Sequence, residues 1–298
     1  MVVVSNGILT SRYVRLLRPV AWFCFLLPYA AGFMFGVTPE TNCFNVLFGF
    51  ASFAFWMSFS FTINALYDRE VDRLHDGRVK DMNLSVQPLV TGEISVREAK
   101  ILCAVFLALS LMFASLINAD FFSAMLGANL IGYVYSAPPR FKALPLTDVI
   151  CNALAAVLVF HAGLSIGNSD VPLAVYPAAF FLAATFYIPT AVSDYEFDKN
   201  AGLRNTPVFF GPDRVLRSLY PLSAITAAIW AYIPFVTQKI EIKIVSQLII
   251  LYTVAFTAVV NSRWDGRKLN VTPHLILTPF GMISALLIAN GFAVMMGG

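Results

Sequence analysis

Residues 44–72 read FNVLFGFASFAFWMSFSFTINALYDREVD, a long apolar run that ends in a regularly spaced polar row. The row consists of Asn64, Asp68 and Asp72, each four residues after the one before. Residues at this spacing lie on the same face of a helix, so the three side chains form one stripe. Carboxylates one turn apart repel each other, and more so beside lipid, unless a cation lies between them. The stretch therefore predicts a membrane-spanning helix that ends in a cation-binding turn.

A second acidic turn repeats this pattern later in the chain. Asp194 and Asp198 follow another apolar run, 171–192, and each comes 126 residues after its counterpart, Asp68 or Asp72. Each acidic turn ends the second helix of a four-helix block, which predicts two pseudo-repeats related by an axis along the membrane normal. The two turns are then expected to face each other across the bundle and to share one site.

The composition is that of a membrane protein. Of 298 residues, 58% are hydrophobic and 12% are charged, and the mean hydropathy is +0.74. Soluble domains carry about 25% charged residues, and a helix needs about 20 apolar residues to cross a bilayer. Nine such spans are predicted, at about 19–37, 43–66, 99–118, 121–137, 148–168, 171–193, 216–236, 244–261 and 274–296. We therefore expect an all-α membrane protein with nine transmembrane helices in one bundle. It forms a single domain, 1–298, with polar cap loops at about 68–96, 137–147 and 194–215.

The Lys and Arg residues fall almost entirely on one side of this topology. With nine spans, 18 of the 20 lie on the side of the N-terminus and the acidic turns, and Lys239 and Lys243 lie on the other. Because basic loops stay in the cytoplasm, that side is expected to be cytoplasmic, with the protein in the cell membrane. The basic side suits an anionic substrate or a membrane surface. The sequence shows no basic soluble domain, so binding to nucleic acid is not expected. The four cysteines show no CxxC spacing, so neither a zinc site nor a disulfide framework is expected.

The acidic turns and the basic residues around them predict a site for a metal ion and a phosphorylated substrate. The carboxylates and the Asn amide supply the oxygen ligands of Mg²⁺, which proteins commonly share with substrate phosphates. Basic side chains at the same mouth can neutralise the other phosphate oxygens. They are Arg18, Arg69, Arg73, Lys142, Lys199 and Arg204. Behind the mouth, the apolar spans carry most of 27 Phe and 11 Tyr residues. A diphosphate head on a long hydrocarbon tail fits both halves, and isoprenyl diphosphates have this form.

Several motifs resemble the UbiA superfamily of intramembrane prenyltransferases. They are Asn64xxxAsp68xxxAsp72, Asp194xxxAsp198 followed by Lys199, Gly202 and Thr206, the segment Pro88-Leu89-Val90-Thr91-Gly92-Glu93-Ile94-Ser95, and the Tyr135-Ser136-x-Pro138-Pro139 end of the fourth span. The resemblance covers the whole chain. Gln87 departs from it, because the family usually has Arg before the Pro-Leu pair.

The resemblance implies transfer of an isoprenyl group from a prenyl diphosphate to a lipophilic acceptor, by ionisation of the diphosphate and alkylation by the carbocation. Asp68, Asp72, Asp194 and Asp198 would hold two Mg²⁺ ions, with help from Asn64. Arg18, Lys142 and Lys199 would complete an anion clamp, and Tyr135 would face the allylic cation. The polar loop 69–95 would close over the site and exclude water. Further substrate-binding candidates are Arg69, Arg204, Ser136 and Asn152, and Ser136 and Asp148 are weak candidates for taking the final proton.

Two other interpretations fit this pattern less well. Paired intramembrane acids also suit a cation-coupled transporter, but these acids lie at helix ends beside basic residues that repel a transported cation. A lipid-binding membrane protein without activity leaves the doubled four-residue spacing unexplained. The acceptor stays open among aromatic quinone precursors, ether lipids, carotenoid ends and tetrapyrroles. The prenyl chain length and the oligomeric state stay open as well.

Overall fold

The computed structural model of the protein describes residues 11–74, 87–167, 170–237, 240–266, 269 and 273–297. Within these ranges the chain folds into helices α1 (Arg12–Leu17), α2 (Phe23–Gly36), α3 (Cys43–Leu74), α4 (Pro88–Thr91), α5 (Val96–Ser115), α6 (Ala119–Ser136), α7 (Thr147–Leu164), α8 (Val175–Ser193), α9 (Tyr195–Asn200), α10 (Thr206–Phe210), α11 (Pro212–Arg217), α12 (Leu219–Val236), α13 (Ile240–Ser262) and α14 (Pro273–Met295). Two 3₁₀ turns, Pro19–Trp22 and Phe141–Ala143, precede α2 and α7.

The long helices confirm an all-helical membrane protein. Among the described residues, 8 helical stretches are long and apolar enough to cross a membrane. A helix forms near each of the nine predicted spans, but α6, at the fourth, is not one of the 8. Asp120, Asn129 and several small or hydroxylated residues lower the hydropathy of α6. Its 18 residues are nevertheless helical throughout.

Helices α2 and α7 cross with their backbones in contact. A Cβ atom on Gly32 would lie 1.9 Å from the carbonyl oxygen of Phe160, and one on Gly36 would lie 2.1 Å from that of Leu164. From the other helix, a Cβ on Gly163 would lie 2.3 Å from the carbonyl oxygen of Tyr29. Small residues permit this approach, and close packing is a main source of helix association in lipid. The crossing fixes the first helices of the two predicted repeats against each other.

Buried hydrogen bonds tie α3 to its neighbours α5 and α6. The Ser52 hydroxyl donates to the Ser110 carbonyl at 2.8 Å, and the Ser110 hydroxyl donates to the Ser52 carbonyl at 3.1 Å. The Asn129 amide of α6 donates to the Ser110 hydroxyl at 3.1 Å. Such bonds link helices where the surrounding lipid offers no partners. They hold α3, and with it the first polar row, in a fixed position.

The two acidic turns differ in local structure. α3 is helical through Leu74, so the first polar row lies on one continuous helix. α8 ends at Ser193, and Asp194 joins it to α9 with φ −90° and ψ 0°. The Asp198 N–H still donates to the Asp194 carbonyl at 2.9 Å, so these acids remain one turn apart. The second pair therefore spans a junction of two helices, although the sequence suggests one.

The predicted closing loop is partly helical. The end of α3 and the short helix α4 both fall within 69–95, and residues 75–86 lie outside the described part of the chain. α4 is followed by Gly92 in a left-handed conformation (φ 79°), and Ser95 then caps α5 by accepting from the Glu98 N–H at 3.1 Å. The described ends of this loop are thus ordered secondary structure.

Candidate active site

Asp68 is the centre of the first polar row. Its Oδ1 accepts a hydrogen bond from Arg140 Nη2 at 2.8 Å, and its Oδ2 pairs with the Lys142 ammonium. The Asn64 amide, oriented to satisfy both neighbours, donates to Asp68 Oδ2 at 3.0 Å and accepts from Lys142 Nζ at 3.1 Å. Ser136 Oγ lies 3.4 Å from the same amide. One carboxylate thus gathers two cations and an amide where α3 and α6 meet.

Both cations come from residues 137–146, which we call the connecting segment, between α6 and α7. Two consecutive prolines end α6, and Arg140 then takes a left-handed conformation with φ 62°. It begins a 3₁₀ turn in which the Ala143 N–H donates to the Arg140 carbonyl at 2.9 Å. A left-handed conformation costs a residue with a side chain about 1 kcal/mol. This turn aims Arg140 and Lys142 at the same acid, Asp68.

Asp72 has a cation placed in a similar way. Arg18 follows α1, is also left-handed (φ 49°), and begins a 3₁₀ turn in which the Ala21 N–H donates to its carbonyl at 2.9 Å. Its Nη2 lies 3.9 Å from Asp72 Oδ2, and the two side chains are only 14% and 13% exposed. Trp22 Nε1 donates to the Leu17 carbonyl at 2.7 Å and holds this turn. The sequence predicts Arg18 at the mouth of the site, and in the structure its side chain lies beside an acid of the row.

α1 is anchored to the segment that starts α5. Arg15 pairs with Glu93, and the Tyr13 hydroxyl donates to Glu98 at 2.8 Å. The hydrogen bond from Arg15, assisted by the Thr91 hydroxyl, holds the pKa of the Glu93 carboxyl below its usual value. These contacts fix α1, and the arginine that follows α1 is therefore held beside its acid.

The short helix α4 packs beside α1 and α3. Arg69, a predicted substrate contact, donates from Nε to the Leu89 carbonyl at 3.2 Å and so holds α4 in place. Gln87 precedes α4 and is 8% exposed. Neither polar atom of its amide has a hydrogen-bond partner within the described ranges. The position at which this chain departs from the family motif is therefore buried beside α4.

The second acidic turn is held by a neutral amide. Asp198 Oδ2 accepts from Asn205 Nδ2 at 2.6 Å, and the Asp198 carbonyl accepts from the Leu203 N–H at 2.9 Å. Gly202, with φ 73°, makes this tight turn possible. Asn205 also caps α10, because its side-chain oxygen accepts from the Val208 N–H at 3.3 Å. The residues after α9 thus fold back onto the acid.

The connecting segment also contacts the residues that follow this second turn. The Leu146 N–H donates to Thr206 Oγ1 at 2.7 Å, and the Arg204 N–H donates to the Ala143 carbonyl at 3.3 Å. The Thr206 hydroxyl donates to one carboxylate oxygen of Asp148, and the Thr206 N–H donates to the other at 3.1 Å. Asp148 is fully buried. One segment therefore joins the first polar row to the second acidic turn.

A pair of tyrosines lies beside the first polar row. The hydroxyls of Tyr135, on α6, and Tyr187, on α8, are 3.2 Å apart. Asn152 contacts the Tyr135 hydroxyl and donates to the Asp148 carbonyl at 3.0 Å. Asn152 thus has the interior partners that a polar residue within a span requires. Tyr135 is one residue from Ser136, which lies against the Asn64 amide, so the pair lies near the mouth of the bundle.

Two predicted anion contacts are on the surface. The ammonium of Lys199 lies 5.5 Å from the ring centre of Tyr195, and the guanidinium of Arg204 lies 5.6 Å from that of Phe209. Both cationic side chains belong to exposed residues. Their predicted role in binding an anion stays a prediction.

The structure adds residues that sequence reasoning missed. Arg140 is not among the basic residues that the sequence assigns to the mouth of the site, although its place after two prolines and close to Lys142 is a usable signal. Tyr187 and Asn205 belong to no recognised motif, and Tyr187 lies in an otherwise apolar run. Their positions follow from contacts between distant segments, which local spacing does not show.

This chain is similar to several known proteins. The model of the UbiA prenyltransferase family matches residues 25–277. A UbiA homologue from Archaeoglobus fulgidus, solved bound to DMAPP and Mg²⁺, is 73% identical with a TM-score of 0.93, covering 96% of this chain and 99% of that one. The lycopene elongase/hydratase of Halobacterium salinarum is 26% identical over 231 residues, 74% of this chain and 80% of its own length. A 4-hydroxybenzoate octaprenyltransferase of Pseudomonas aeruginosa is 28% identical over 225 residues, 73% and 72% of the two chains. The family match includes both acidic turns and the connecting segment, and this chain therefore belongs to the UbiA prenyltransferase family.

Proposed function

We propose that this prenyltransferase uses Mg²⁺ to transfer the prenyl group of a prenyl diphosphate to a lipophilic acceptor at the site around Asp68. The observation that carries the proposal is the meeting of one carboxylate, one amide and two cations beside the tyrosine pair. The Archaeoglobus fulgidus homologue binds DMAPP, a prenyl diphosphate, together with Mg²⁺. Its likeness to this chain in sequence and fold supports the same ligands here.

The residues present fit Mg²⁺. Among the described residues, no three acidic, His or Cys side chains gather closely enough to hold a metal by themselves. Mg²⁺ needs no such cluster, because it usually binds one or two carboxylates together with substrate phosphates and water. The acids that would hold the two ions, with Asn64 assisting, are Asp68, Asp72, Asp194 and Asp198. A metal bound there would stabilise the charge of the leaving diphosphate.

The cations around the first polar row would bind the diphosphate. Arg18, Arg140 and Lys142 can donate to phosphate oxygens from positions fixed by the turns described above. Lys199 and Arg204 would add to this clamp from the surface. Asp148 bonds Thr206 through both of its oxygens, so it joins the two halves of the site and is poorly suited to take the final proton. Ser136, beside the Asn64 amide, remains the better candidate for that step.

The aromatic residues would protect the allylic cation. The hydroxyl contact between Tyr135 and Tyr187 fixes both rings near the mouth of the bundle. Aromatic faces attract a cation, and a site lined by them excludes the water that would quench it. Asn152, on the neighbouring helix α7, contacts the Tyr135 hydroxyl. These contacts orient the ring that the resemblance assigns to the cation.

The acceptor is lipophilic, either an aromatic quinone precursor or another lipid. Relatives of similar identity are named for 4-hydroxybenzoate and for lycopene, so likeness to either does not choose between them. Membership of a prenyltransferase family leaves the transporter interpretation without support.

The finer topology is part of the same proposal. α6 would complete nine spans, and α2 and α7 would begin the two repeats. The N-terminus and the site would face the cytoplasm of a cell membrane, as the distribution of Lys and Arg suggests. Labelling of single cysteines introduced in α1 and after α12, in sealed vesicles, tests this orientation.

The proposal is tested with purified protein, radiolabelled prenyl diphosphates, a panel of lipophilic acceptors, and Mg²⁺ or EDTA. We expect a labelled lipophilic product only with Mg²⁺. Asp68→Asn and Asp198→Asn should lower the rate by about 100-fold or more, because each weakens metal and diphosphate binding. Asp120→Asn, the same change at an exposed position at the far end of α6, is the control and should keep full activity. Metal-independent transfer, or full activity in both site variants, would refute the assignment.

A further inference from the structure

Three cations contact the acids of α3. Arg140 and Lys142 pair with Asp68, and Arg18 lies 3.9 Å from Asp72. The three cationic side chains are 28%, 10% and 14% exposed, respectively. Solvent and salt screen partly buried pairs less than exposed ones, so these contacts are stronger than ordinary surface ion pairs. The protein's own side chains therefore neutralise the acids of the first polar row.

The backbone holds two of these cations in place at a cost. Arg18 and Arg140 have φ values of 49° and 62°, and among the described residues Leu146 is the one other non-glycine with a positive φ. Each arginine begins a 3₁₀ turn that is closed by the same backbone hydrogen bond of 2.9 Å. Glycine would adopt this conformation without strain. Strain of this kind persists where the side chain has a role that glycine cannot fill.

We propose that Arg18, Arg140 and Lys142 are exchangeable counter-ions of the site, an inference that rests on its proposed function in binding Mg²⁺ and diphosphate. Without substrate, they neutralise Asp68 and Asp72 and oppose the binding of Mg²⁺. With a prenyl diphosphate, they move to the phosphate oxygens and leave the two acids to the metal. Mg²⁺ and the diphosphate consequently bind with positive cooperativity.

The charges explain why neither ligand should bind well alone. Mg²⁺ entering alone has to displace the cationic side chains from the acids. It then remains close to these displaced cations, which repel it. A diphosphate entering alone gains the cations but is repelled by the acids that they leave. When both enter, every charged group obtains a partner of opposite sign, which a partly buried site requires. Each ligand then raises the affinity for the other by the same factor.

The test is isothermal titration of Mg²⁺ into the full-length protein in detergent, first alone and then with a thiolo analogue of geranyl diphosphate. For Arg140→Gln we expect Mg²⁺ alone to bind about tenfold more tightly than in the parent, because one competing cation is gone. We expect the analogue, at saturating Mg²⁺, to bind about tenfold more weakly, because one phosphate contact is gone. A residue that only supports the fold would weaken both.

Three variants control this result. Arg140→Lys keeps the charge and should keep the parent's affinity for Mg²⁺ alone. Arg140→Gly removes the charge and relieves the left-handed backbone, so it should reproduce the tighter Mg²⁺ binding in a protein that folds well. Arg97→Gln makes the same charge change at an exposed position in the first turn of α5 and should alter neither affinity by more than about twofold.

The outcomes separate this inference from the function on which it rests. If the parent binds Mg²⁺ with the analogue, but Arg140→Gln and Arg140→Gly bind Mg²⁺ alone no more tightly than the parent, the exchange is refuted and the metal site stands. If the folded parent binds no Mg²⁺ even with the analogue, the proposed site itself is wrong, and the exchange is refuted with it.

Discussion

Replacing Thr206 with valine tests whether the two acidic turns are held together by one side chain. The Thr206 hydroxyl donates to the buried carboxyl of Asp148 and accepts from the Leu146 N–H at 2.7 Å. Valine occupies nearly the same space, so the packing changes little while both bonds are lost. A hydrogen bond to a charged group contributes about 1.5–3 kcal/mol, and an unpaired, partly buried N–H costs about 1 kcal/mol more. We therefore expect a loss of about 3 kcal/mol, since the Thr206 N–H still bonds Asp148 at 3.1 Å.

The assay is thermal unfolding in detergent, together with the KM for the prenyl diphosphate. A loss of this size should lower the apparent Tm by roughly 5–10 °C in a chain of this length. The KM should rise, because the connecting segment that presents Arg140 and Lys142 loses its attachment. The matched control is Thr226→Val, at a fully buried hydroxyl that bonds the Leu222 carbonyl at 2.9 Å and lies 3.2 Å from Thr185 Oγ1. Those partners are uncharged, so we expect about 1 kcal/mol there.

Two results would refute this reasoning. If Thr206→Val unfolds at the temperature of Thr226→Val, the bond to the carboxyl does not carry the stability assigned to it. If the Tm falls as expected but the KM is unchanged, the attachment supports the fold without positioning the cations.

Two further predictions concern the helix crossing and the anchor of α1. Gly32→Ala should destabilise the protein by about 3 kcal/mol, because the new Cβ would lie 1.9 Å from the carbonyl oxygen of Phe160, a backbone atom that cannot move aside. Gly127→Ala, whose Cβ meets only a side chain at 3.2 Å, should have little effect, and equal Tm values for the two variants would contradict the backbone contact. Arg15 lowers the pKa of Glu93 in the folded protein. The ion pair between them should therefore stabilise the fold fully above the usual carboxyl pKa. This stabilisation should disappear as the pH falls through the lowered pKa. Glu93→Gln should remove that part of the dependence of the Tm on pH, and an unchanged dependence would show that the pair contributes nothing.

Much of the helical fold could be predicted from the sequence, because hydropathy and spacing are local properties. The apolar run before Asn64 and the four-residue spacing of the acids predicted α3 and its polar row correctly. The break at Asp194 was not predicted, since neither proline nor glycine marks it.

The site was harder to predict because its partners are distant in sequence. Arg140 is 72 residues from Asp68, and the contact depends on a left-handed turn that no local pattern for arginine predicts. Tyr187 meets Tyr135 only because α6 and α8 both pack around α7, and a tyrosine in an apolar run gives no sign of that. Gly32 and Gly163 likewise show their purpose only when the two backbones are seen in contact.

The connecting segment has a consequence for how this chain can vary. Surface loops usually tolerate insertions and deletions, because their ends are fixed and their middles are free. Here the middle carries Arg140 and Lys142 to one acid, and the end is bonded to Thr206. Adding or removing a single residue would shift the cations relative to both attachments at once. The length of this segment, more than the identity of most of its residues, is thus what a functional variant has to keep.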